Sequence, residues 1–380
     1  MKILFYSMYI GTATTTFLHN PFLEIAAKHE TMYLCNEYYE NSVLQGQNIK
    51  VIPFQHHRIR NKINWLLEKY KIILGFKNKA FAKQIKTLIS EFKPDVIHCN
   101  FGNESLRLLE NCFDSEQKYT IMFHGYDASN YFLSNSLYKK KYIELFSKPN
   151  VYPIVVSDYM KSKFVSAGIP MEKSLRLYYG CRLDLFKRSS YPVDKQEHIF
   201  LQVSSYSRQK GHTSTVQAFH LFVEQHPEIQ CKLIFAGGGG TERNVVEALI
   251  KELHLEQKII TTDTLTPIEV KAYLESAHTF VHHSVTDSYQ FTEGIPNAII
   301  EAMAMELPIL STKHAGIPEL VEDGKNGILV NEYDVKSYAQ SFYDILDWKY
   351  KPENRKKVES FFSLKNHVEN LENFYKKIIS

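Results

Sequence analysis

The sequence predicts an α/β protein made of two doubly wound, mainly parallel sheets. Short apolar runs of β type alternate with segments of helical periodicity along most of the chain. This alternation stops once, near the middle, and then starts again. A chain of 380 residues also exceeds the size at which a single hydrophobic core usually stops growing. Two domains, each with a parallel sheet covered by helices, are therefore expected.

The predicted strands form two series that are rich in Ile, Val, Leu and aromatic residues. The first series lies at 2–8, 31–36, 50–54, 95–100, 119–124 and 151–157. The second series lies at 198–205, 232–237, 258–263, 279–284 and 308–313. Between them, residues 180–195 lose periodicity and gain Ser, Pro and charge, as connecting segments do. We therefore place residues 1–185 in the first domain and residues 186–361 in the second. Ligands of doubly wound sheets collect at the carboxyl ends of the strands, so the residues after each strand are the site candidates.

Composition places the chain among globular proteins, with 44% apolar and 23% charged residues. A net charge of +3 does not by itself imply a nucleic-acid partner. The beginning, MKILFYSMYIG, is typical of a first β-strand rather than a signal peptide, and no apolar run approaches the roughly 18 residues of a spanning helix. Five scattered cysteines without a CxxC motif indicate reduced thiols. We expect a cytoplasmic protein that is at most attached to a membrane surface.

Residues 55–93 form a basic segment with ten Lys and Arg against two Glu, interleaved with apolar and aromatic residues. One interpretation is a surface for anionic lipid headgroups at the inner face of the plasma membrane. A second is a solvated helix face whose apolar side packs on the domain. A nucleic-acid surface is the third, but no recognition motif accompanies it, so no nucleic-acid partner is predicted. Peripheral membrane association stays open at this point.

The stretch TEGIPNAIIEAMAM, residues 292–305, carries the strongest chemical signal. Its apolar residues predict a buried helix with Pro296 at the first helical position. The free N–H groups and the positive dipole at such a helix start form an anion site. Glu293 precedes the helix and Glu301 lies about one turn inside it, so both could accept hydrogen bonds from a polyol whose phosphate binds the N–H groups. The alternative is that Thr292 caps the helix and Glu301 faces solvent.

Glu293-x7-Glu301, within EGIPNAIIEAMAMELPIL and followed by STKHAGIPELVEDGKNGILV, resembles the signature of glycosyltransferase family 4. The stretch is similar to bacterial exopolysaccharide and O-antigen transferases in particular. The resemblance implies a retaining enzyme that uses a nucleotide sugar. It also implies the GT-B fold, in which two Rossmann-like domains face a cleft and a C-terminal helix, here residues 362–380, crosses back to the N-terminal domain.

The resemblance implies a donor site in the second domain. Glu301 would bind the ribose hydroxyls of the nucleotide, and Glu293 would contact the transferred sugar in a catalytic role. Lys210, in QVSSYSRQKGH, matches the catalytic lysine that neutralises the diphosphate. The backbone at the helix start would border the sugar and the diphosphate, at Gly294, Ile295, Pro296 and Asn297.

Three further segments match the family's contacts with the nucleotide. Gly237 belongs to the glycine-bearing loop AGGGGTE, which follows a predicted strand. Thr264 and Leu265 fall where the family contacts the base. Gly11 lies in the loop that closes over the diphosphate, with Thr and Gly in place of the more usual pair of glycines.

The sequence departs from the family pattern at two positions near these contacts. Ser205 stands where the family has an arginine that assists Lys210, and Arg208 is the candidate to supply the charge instead. A loop Arg–Lys pair could otherwise be plain surface charge. Glu306 stands where the family usually has Gly, in AMxGxP, so the turn after the helix is altered.

In the first domain, FHGYDAS matches the His-Gly-Tyr-Asp segment of related transferases. The resemblance implies that His124 meets the transferred sugar in a catalytic role and that Asp127 lies close by, towards the acceptor. A histidine directly after a strand could instead be a structural residue. His98 and Asn103, in HCNFGNES, are candidates for the acceptor side.

The resemblance implies transfer of a sugar from a nucleotide sugar, expected to be a UDP-sugar, to a glycan or lipid-linked glycan in the synthesis of bacterial surface polysaccharide. Lys210, Arg208 and the helix start would neutralise the leaving diphosphate, so neither a metal nor a cofactor is expected. Two rivals stay open. One is another GT-B enzyme, such as a sugar-nucleotide epimerase or a glycan phosphorylase. The other is a catalytically silent subunit of a glycan assembly complex. A dehydrogenase is disfavoured because no GxGxxG follows a predicted strand.

Overall fold

The computed structural model describes residues 1–12, 15–53, 78–191 and 197–380, without the side chain of Tyr131. Most of the basic segment, residues 55–77, lies outside the described residues, as do residues 13–14 of the loop after the first strand and residues 192–196 of the predicted connection. The chain divides into two compact units, residues 1–178 with 367–380 and residues 179–366. We call them unit 1 and unit 2.

The described part of unit 1 contains a seven-stranded parallel sheet with the order β3-β2-β1-β4-β5-β6-β7. Its strands are β1 Lys2–Ile10, β2 Glu30–Tyr38, β3 Ile49–Val51, β4 Val96–Asn100, β5 Lys118–Phe123, β6 Val151–Val155 and β7 Leu175–Arg176. Its helices in the described ranges are α1 Thr16–Ala26, α2 Lys79–Phe92, α3 Gly102–Cys112, α4 Asn130–Ser134, α5 Ser136–Phe146 and α6 Asp158–Ser166. Each predicted run of the first series overlaps a strand. The two residues of β7 are too few to show a periodicity, and this strand was not predicted.

Buried apolar strands and capped helices explain why unit 1 forms these elements. Parallel strands covered on both faces read as near-continuous apolar runs, and β4 and β6 do so. The Phe22 ring on α1 packs edge-on against Phe5 of β1, with centroids 5.3 Å apart. Asn78 accepts from two backbone N–H groups at the start of α2, and Ser157 accepts from Met160 N–H at the start of α6. The strand order reverses between β1 and β4, so the carboxyl ends of these two strands border the crevice where such sheets bind ligands.

Unit 2 contains, over its described residues, a six-stranded parallel sheet with the order β10-β9-β8-β11-β12-β13. Its strands are β8 His198–Val203, β9 Cys231–Ala236, β10 Ile259–Thr261, β11 Thr279–His282, β12 Ile309–Thr312 and β13 Gly327–Val330. Its described helices are α7 His212–Gln225, α8 Arg243–Glu252, α9 Pro267–Ser276, α10 Asn297–Ala304, α11 Ile317–Leu320, α12 Val335–Asp344 and α13 Pro352–Phe361. All five predicted strands of the second series are present. The sequence analysis missed β13, four residues that follow the turn-forming DGKN.

An aromatic cluster forms much of the core of unit 2. Phe200 of β8 lies under Phe219 and Phe222 of α7 and Phe342 of α12, and the Phe200 and Phe342 centroids are 4.8 Å apart. The strand order reverses between β8 and β11, so their carboxyl ends border the crevice of this sheet. The α/β fold with two doubly wound sheets is thus confirmed.

The last helix, α14 Leu364–Ile379, supplies residues 367–380 to unit 1. Val368, Leu371 and Tyr375 are buried within that unit. The Glu372 carboxylate lies 3.0 Å from Nε2 of His29 and 3.5 Å from Nζ of Lys28. Apolar burial and these polar contacts together attach the end of the chain to the first unit.

Two sequence expectations concern the whole chain. The five cysteines are buried and free. Among the helices of the described ranges, none combines the length and the apolarity needed to cross a lipid bilayer.

Candidate functional site

The helix α10, Asn297–Ala304, starts at the switch point of unit 2. Pro296 has φ −69° and ψ 115° and occupies the N-cap, one position before the predicted one, because an extended residue cannot yet belong to the helix. No side chain caps this helix, and Thr292 is buried elsewhere, so the alternative of a Thr292 cap is wrong. The Ile299 N–H donates to the Pro296 carbonyl at 3.1 Å, whereas the N–H groups of Asn297 and Ala298, which no side chain caps, can point to an anion.

The far end of α10 is held firmly by two arginines. Arg355 donates from Nη1 to the carbonyl of Ala304 at 3.0 Å, and Arg188 donates from Nε to the carbonyl of Met305 at 2.8 Å. Both guanidinium groups satisfy orphan carbonyls and complement the negative end of the helix dipole. Glu306, which replaces the family's usual Gly, follows in a left-handed conformation with φ 64°. A glycine would adopt this conformation with less strain, and this explains why the family favours it there.

Glu301 projects from α10 without a protein partner. Its side chain is partly buried, and no hydrogen bond or ion pair reaches its carboxylate from any residue that the structure describes. Burial raises the pKa of Glu301 to about 8. The expectation that Glu301 faces solvent in the alternative interpretation is therefore wrong. A ligand with hydroxyl donors would satisfy this carboxylate.

Lys210 and Glu293 form an ion pair at the carboxyl ends of β8 and β11. Nζ of Lys210 lies 2.9 Å from Oε1 of Glu293, and the two side chains are only 18% and 13% exposed. Gly211 makes this approach possible: it has φ 61°, and a Cβ at its position would overlap the carbonyl oxygen of His283 at the end of β11. The structure thus brings together two of the predicted catalytic residues, which are 83 positions apart (293 − 210).

The loop that carries Glu293 is tied to the neighbouring loop after β12. The Glu293 N–H donates to Nε2 of His314 at 3.1 Å, and the carbonyl of Gly294 accepts from Gly316 N–H at 3.1 Å. The Ile295 side chain is buried in unit 2 and attaches the loop to its core. Because His314 already takes the Glu293 N–H, the donors left for a ligand are those from Gly294 onwards.

Arg208 is turned towards a different acid. Its Nε lies 2.9 Å from Oε1 of Glu242, and its guanidinium lies 5.3 Å from the ring centroid of Tyr289. Ser205 is only 3.5 Å from the Ser207 hydroxyl, Oγ to Oγ. The structure therefore gives Arg208 an ion-pair partner of its own, and a contact of Arg208 with a diphosphate stays a prediction.

The glycine loop after β9 lies close to the ends of its neighbours. Gly237 has φ 139°, and a Cβ there would crowd the carbonyl of Ser204 at the end of β8. A Cβ on Gly238 would overlap the backbone N of Thr264. The structure thus places Gly237 and Thr264 in adjacent loops, with Leu265 partly buried next to Thr264.

In unit 1, Asp127 holds the two loops that follow β4 and β5. Its Oδ1 accepts from His124 N–H at 2.8 Å and Gly125 N–H at 3.1 Å, while its Oδ2 accepts from Gly102 N–H at 2.7 Å. Asp127 is fully buried, and burial raises its pKa to about 6. These three bonds make Asp127 a support for the backbone of both loops, and its expected position towards the acceptor stays a prediction.

His124 lies at the end of β5, partly buried between aromatic rings. Its ring is 4.5 Å from Phe101 and 5.0 Å from Phe17 by centroids, and Nε2 lies 3.0 Å from Oδ1 of Asn100. Burial and the nearby His98 lower the pKa of His124 well below its usual value. His124 is therefore a neutral imidazole that can donate or accept a hydrogen bond.

His98 and Asn103 differ in their surroundings. His98 lies inside β4, is 2% exposed and hydrogen-bonds through Nδ1 to Thr120 Oγ1 at 2.9 Å. Burial lowers its pKa to about 3. It is a core residue, because the carboxyl end of β4 comes two residues later. Asn103, near the start of α3, has a buried Oδ1 with no hydrogen-bond partner among the described residues.

Gly11 directly follows β1, and its backbone lies close to that of Tyr39, which follows β2. It has φ 106°, and a Cβ there would overlap the carbonyl oxygen of Tyr39. Its N–H donates to Nε2 of His19 at 3.0 Å, and its carbonyl accepts from the Asn41 amide at 3.1 Å. The sequence analysis did not single out His19, His314 or Glu104. Glu104 accepts from Met8 N–H at 2.7 Å, and burial raises its pKa to about 7.

These residues had no signal of their own in the sequence, because each one accepts a hydrogen bond from a backbone N–H at least 8 positions away in the chain. Within the ranges that the structure describes, no group of three or more His, Cys, Asp or Glu is arranged to hold a metal ion. The expectation of a reaction without metal or cofactor stays a prediction.

Comparisons with known proteins agree with the geometry of unit 2. Residues 185–360 match the family model of glycosyl transferases group 1. The chain is 31% identical over 251 residues to the putative colanic acid biosynthesis glycosyltransferase WcaL of Escherichia coli K12, covering 66% of this chain and 61% of that protein. It is 28% identical over 244 residues to the amylovoran biosynthesis glycosyltransferase AmsK of Erwinia amylovora, covering 64% of this chain and 59% of that protein. The chain thus spans about three fifths of the length of these curated relatives.

Solved structures share the fold over nearly the whole chain. A glycosyltransferase from Rickettsia africae has a TM-score of 0.75 at 19% identity, covering 100% of this chain and 98% of that chain. HepE of Anabaena in complex with UDP-glucose has a TM-score of 0.76 at 17% identity, covering 99% and 100%. At these identities the likeness concerns the fold, and it confirms the predicted GT-B class.

Proposed function

We propose that the chain is a glycosyltransferase that acts in bacterial polysaccharide biosynthesis, because residues 185–360 match the family model of glycosyl transferases group 1. Two relatives are named as glycosyltransferases of colanic acid and amylovoran biosynthesis. One structural observation carries the proposal. The Lys210–Glu293 ion pair lies at the switch point of unit 2, where the segment after β11 leads to a helix start without a side-chain cap. One turn further on, Glu301 has no hydrogen-bond or ion-pair partner among the described residues.

The donor in this proposal is a nucleotide sugar bound by unit 2. Its diphosphate takes the N–H groups at the start of α10 and the ammonium of Lys210, because both offer positive potential to an anion. The ribose diol donates hydrogen bonds to Glu301, which otherwise stays buried without a partner. Glu293 then accepts from hydroxyls of the sugar. The Thr264 and Leu265 loop beside the glycine loop is placed to border the base.

UDP is the nucleotide we favour. HepE of Anabaena, which shares the fold, was solved in complex with UDP-glucose. The glycan or lipid-linked acceptor is inferred from the polysaccharide relatives, and with it an action in the cytoplasm at the inner face of the membrane. Helix α2 belongs to the part of the basic segment that the structure describes. It buries Phe81, Ile85 and Phe92, and its lysines can therefore contact water or anionic headgroups.

Catalysis in this proposal is electrostatic and retains the anomeric configuration. The bond between the anomeric carbon and the diphosphate oxygen breaks while the acceptor oxygen bonds to the same face of the sugar. The acceptor's proton passes to the departing phosphate, so no protein nucleophile is needed. Lys210 and the helix start stabilise the negative charge that develops on the diphosphate, and this is why the proposal needs no metal.

The ribose assignment is tested by titrating UDP into wild type and Glu301→Ala. Loss of two hydrogen bonds to a carboxylate should weaken UDP binding about 20-fold or more, as measured by isothermal titration calorimetry. Glu256→Ala, which changes an exposed glutamate of the same unit, is the matched control and should bind UDP as wild type does. If Glu301→Ala and wild type bind UDP with equal affinity, Glu301 does not bind the ribose and the proposed donor site is wrong.

Transfer itself is tested with a panel of nucleotide sugars and a membrane extract that contains lipid-linked glycans. Nucleotide release that requires the extract supports a transferase. Conversion of the nucleotide sugar without any acceptor would identify an epimerase. UDP binding without any turnover across the panel would favour the silent subunit.

A further inference from the structure

A histidine and a glutamate, His314 and Glu332, connect the loops around Glu293. The imidazole Nε2 accepts the Glu293 N–H at 3.1 Å. An imidazole nitrogen that accepts cannot carry the proton, so in the neutral ring the proton lies on Nδ1. Nδ1 is 2.7 Å from Oε1 of Glu332 and therefore donates to that carboxylate. The hydrogen bonds thus run in one direction, from the Glu293 backbone through the ring to Glu332.

The other oxygen of Glu332 returns to the loop in which Glu293 lies. Oε2 accepts from Thr286 N–H at 2.6 Å. Thr286 and Glu293 belong to the segment after β11, His314 follows β12, and Glu332 follows β13. One carboxylate–imidazole pair therefore spans the carboxyl ends of three adjacent strands.

Burial makes this arrangement rigid. The His314 side chain is 1% exposed and that of Glu332 is 26% exposed. A buried imidazole with both nitrogens bonded has one orientation and one tautomer. Each end of the segment from Thr286 to Glu293 is thus bonded to the same side-chain pair. Its middle, residues 288–290, is exposed to solvent, and the buried Asp287 accepts from the N–H groups of Tyr289 and Phe291.

We propose that His314 and Glu332 are positioning residues for Glu293, and the inference rests on the proposed donor site. Neither side chain would contact the donor. His314 fixes the backbone of Glu293, and with it the carboxylate that lies 2.9 Å from Lys210. Misplacing a reacting group by about 1 Å is enough to slow an enzyme about 100-fold. The pair therefore acts on the sugar end of the donor, whereas Glu301 acts on the nucleotide end.

Two substitutions of the same histidine separate its two hydrogen bonds. In His314→Gln the amide oxygen can reach the position of Nε2 and accept from Glu293 N–H. In His314→Asn the amide nitrogen can take the position of Nδ1 and donate to Glu332, but the side chain is too short to reach Glu293. The inference predicts that kcat falls about 10- to 100-fold in His314→Asn and much less in His314→Gln. The KM for the nucleotide sugar and the affinity for UDP should change less than about threefold in both.

Equal kcat values for the two variants would overturn the inference, because bonding to Glu293 would then have no separate effect. A parallel loss of kcat, UDP affinity and Tm in His314→Asn would overturn it as well, since the histidine would then support the whole unit.

A second measurement does not depend on activity. Hydrogen–deuterium exchange of a peptide covering residues 286–297 should be faster in His314→Asn than in His314→Gln and wild type, because only Asn leaves the Glu293 N–H without an acceptor. Unchanged exchange would contradict the inference. If wild type transfers no sugar but exchange behaves as predicted, the proposed function fails while the positioning of Glu293 stands.

Discussion

The carboxyl-end edges of the two sheets differ in how their polar groups are used. At the carboxyl ends of β4 and β5 in unit 1, Asp127 accepts from three backbone N–H groups and His124 hydrogen-bonds to Asn100, while His98 inside β4 hydrogen-bonds to Thr120. At the switch point of unit 2, Lys210 and Glu293 form a partly buried ion pair, and Glu301 has no partner in the described part of the chain. Within the described residues of these two edges, the buried ion pair and the carboxylate without a hydrogen-bond donor therefore both lie in unit 2.

This difference separates side chains that hold loops from side chains that can hold a ligand. A carboxylate whose oxygens are occupied by backbone donors has little capacity left for a substrate. A partly buried carboxylate without hydrogen-bond donors destabilises the folded protein, and a ligand that supplies the donors removes this cost. Substitutions at the unit 2 edge should therefore change binding and transfer, whereas substitutions at the unit 1 edge should change stability.

The largest effect is expected at Lys210. Lys210→Met removes the cation that pairs with Glu293 and is proposed to stabilise the leaving diphosphate, so it should lower kcat about 100- to 1,000-fold. Its Tm should change little compared with its activity. Steady-state kinetics with the nucleotide sugar and thermal unfolding measure the two effects. Lys187→Met, an exposed lysine of unit 2, is the control.

Substitution of Glu293, the ion-pair partner of Lys210, should strengthen the binding of UDP. Glu293→Gln frees Lys210 from its ion pair, so the affinity for UDP alone should rise about three- to tenfold while transfer falls. Weaker UDP binding in Glu293→Gln would show that the carboxylate does not compete with the diphosphate for Lys210.

The next effect concerns the stability of unit 1. Asp127→Ala leaves three backbone N–H groups without their acceptor, and the free energy of unfolding should fall by about 3 kcal/mol or more. Urea unfolding measures it, with the exposed Asp347→Ala as the control. UDP affinity of the folded variant should stay close to that of wild type, because none of the three residues that Asp127 holds is proposed to bind the nucleotide. A stable Asp127→Ala with impaired transfer would reverse the comparison and give Asp127 a substrate role.

The smallest effect is a pH dependence at Glu301. Burial raises its pKa from the ordinary 4.5 to about 8. Between these values the folded protein keeps a proton that the unfolded chain has released, so this group's contribution to the free energy of unfolding falls as the pH rises. Glu301→Gln cannot ionise. Its stability relative to wild type should therefore increase from pH 5 to pH 8, by on the order of 2 kcal/mol.

Urea unfolding of both proteins at several pH values between 5 and 8 provides the measurement. A stability difference that does not vary with pH would mean that the Glu301 carboxylate is solvated in the folded protein. In that case the contrast between the two units would rest on the Lys210–Glu293 pair alone.

Local patterns in the sequence were sufficient for most of the fold. Alternating apolar runs located every strand of at least three residues except β13, and the single break in the alternation indicated two sheets. The family resemblance, which the match over residues 185–360 supports, predicted that Glu293, Glu301 and Lys210 belong to one donor site. The start of α10 was predicted one residue early, because sequence cannot distinguish proline at the N-cap from proline at the first helical position.

Contacts between loops could not be predicted in the same way. Asp127 and His98 were predicted to lie on the acceptor side. Their hydrogen bonds to neighbouring strands and loops were not predicted, because periodicity does not show which strands are adjacent in a sheet. The ion pair of Arg208 with Glu242 was not predicted, and the contact of Arg208 with a diphosphate stays a prediction. No sequence pattern indicated a role for His314, because its partner, the Glu293 N–H, is 21 positions away in the chain.

The sequence by itself determined the two sheets, the apolar helix α10 and the presence of two carboxylates around its start, since these depend on residue order over a few turns or strands. The tertiary structure alone decided which charges meet. Strand order brings the loops after β8 and β11 together, the absence of a Cβ at Gly211 lets them touch, and burial then leaves Glu301 without a donor while Lys210 reaches Glu293.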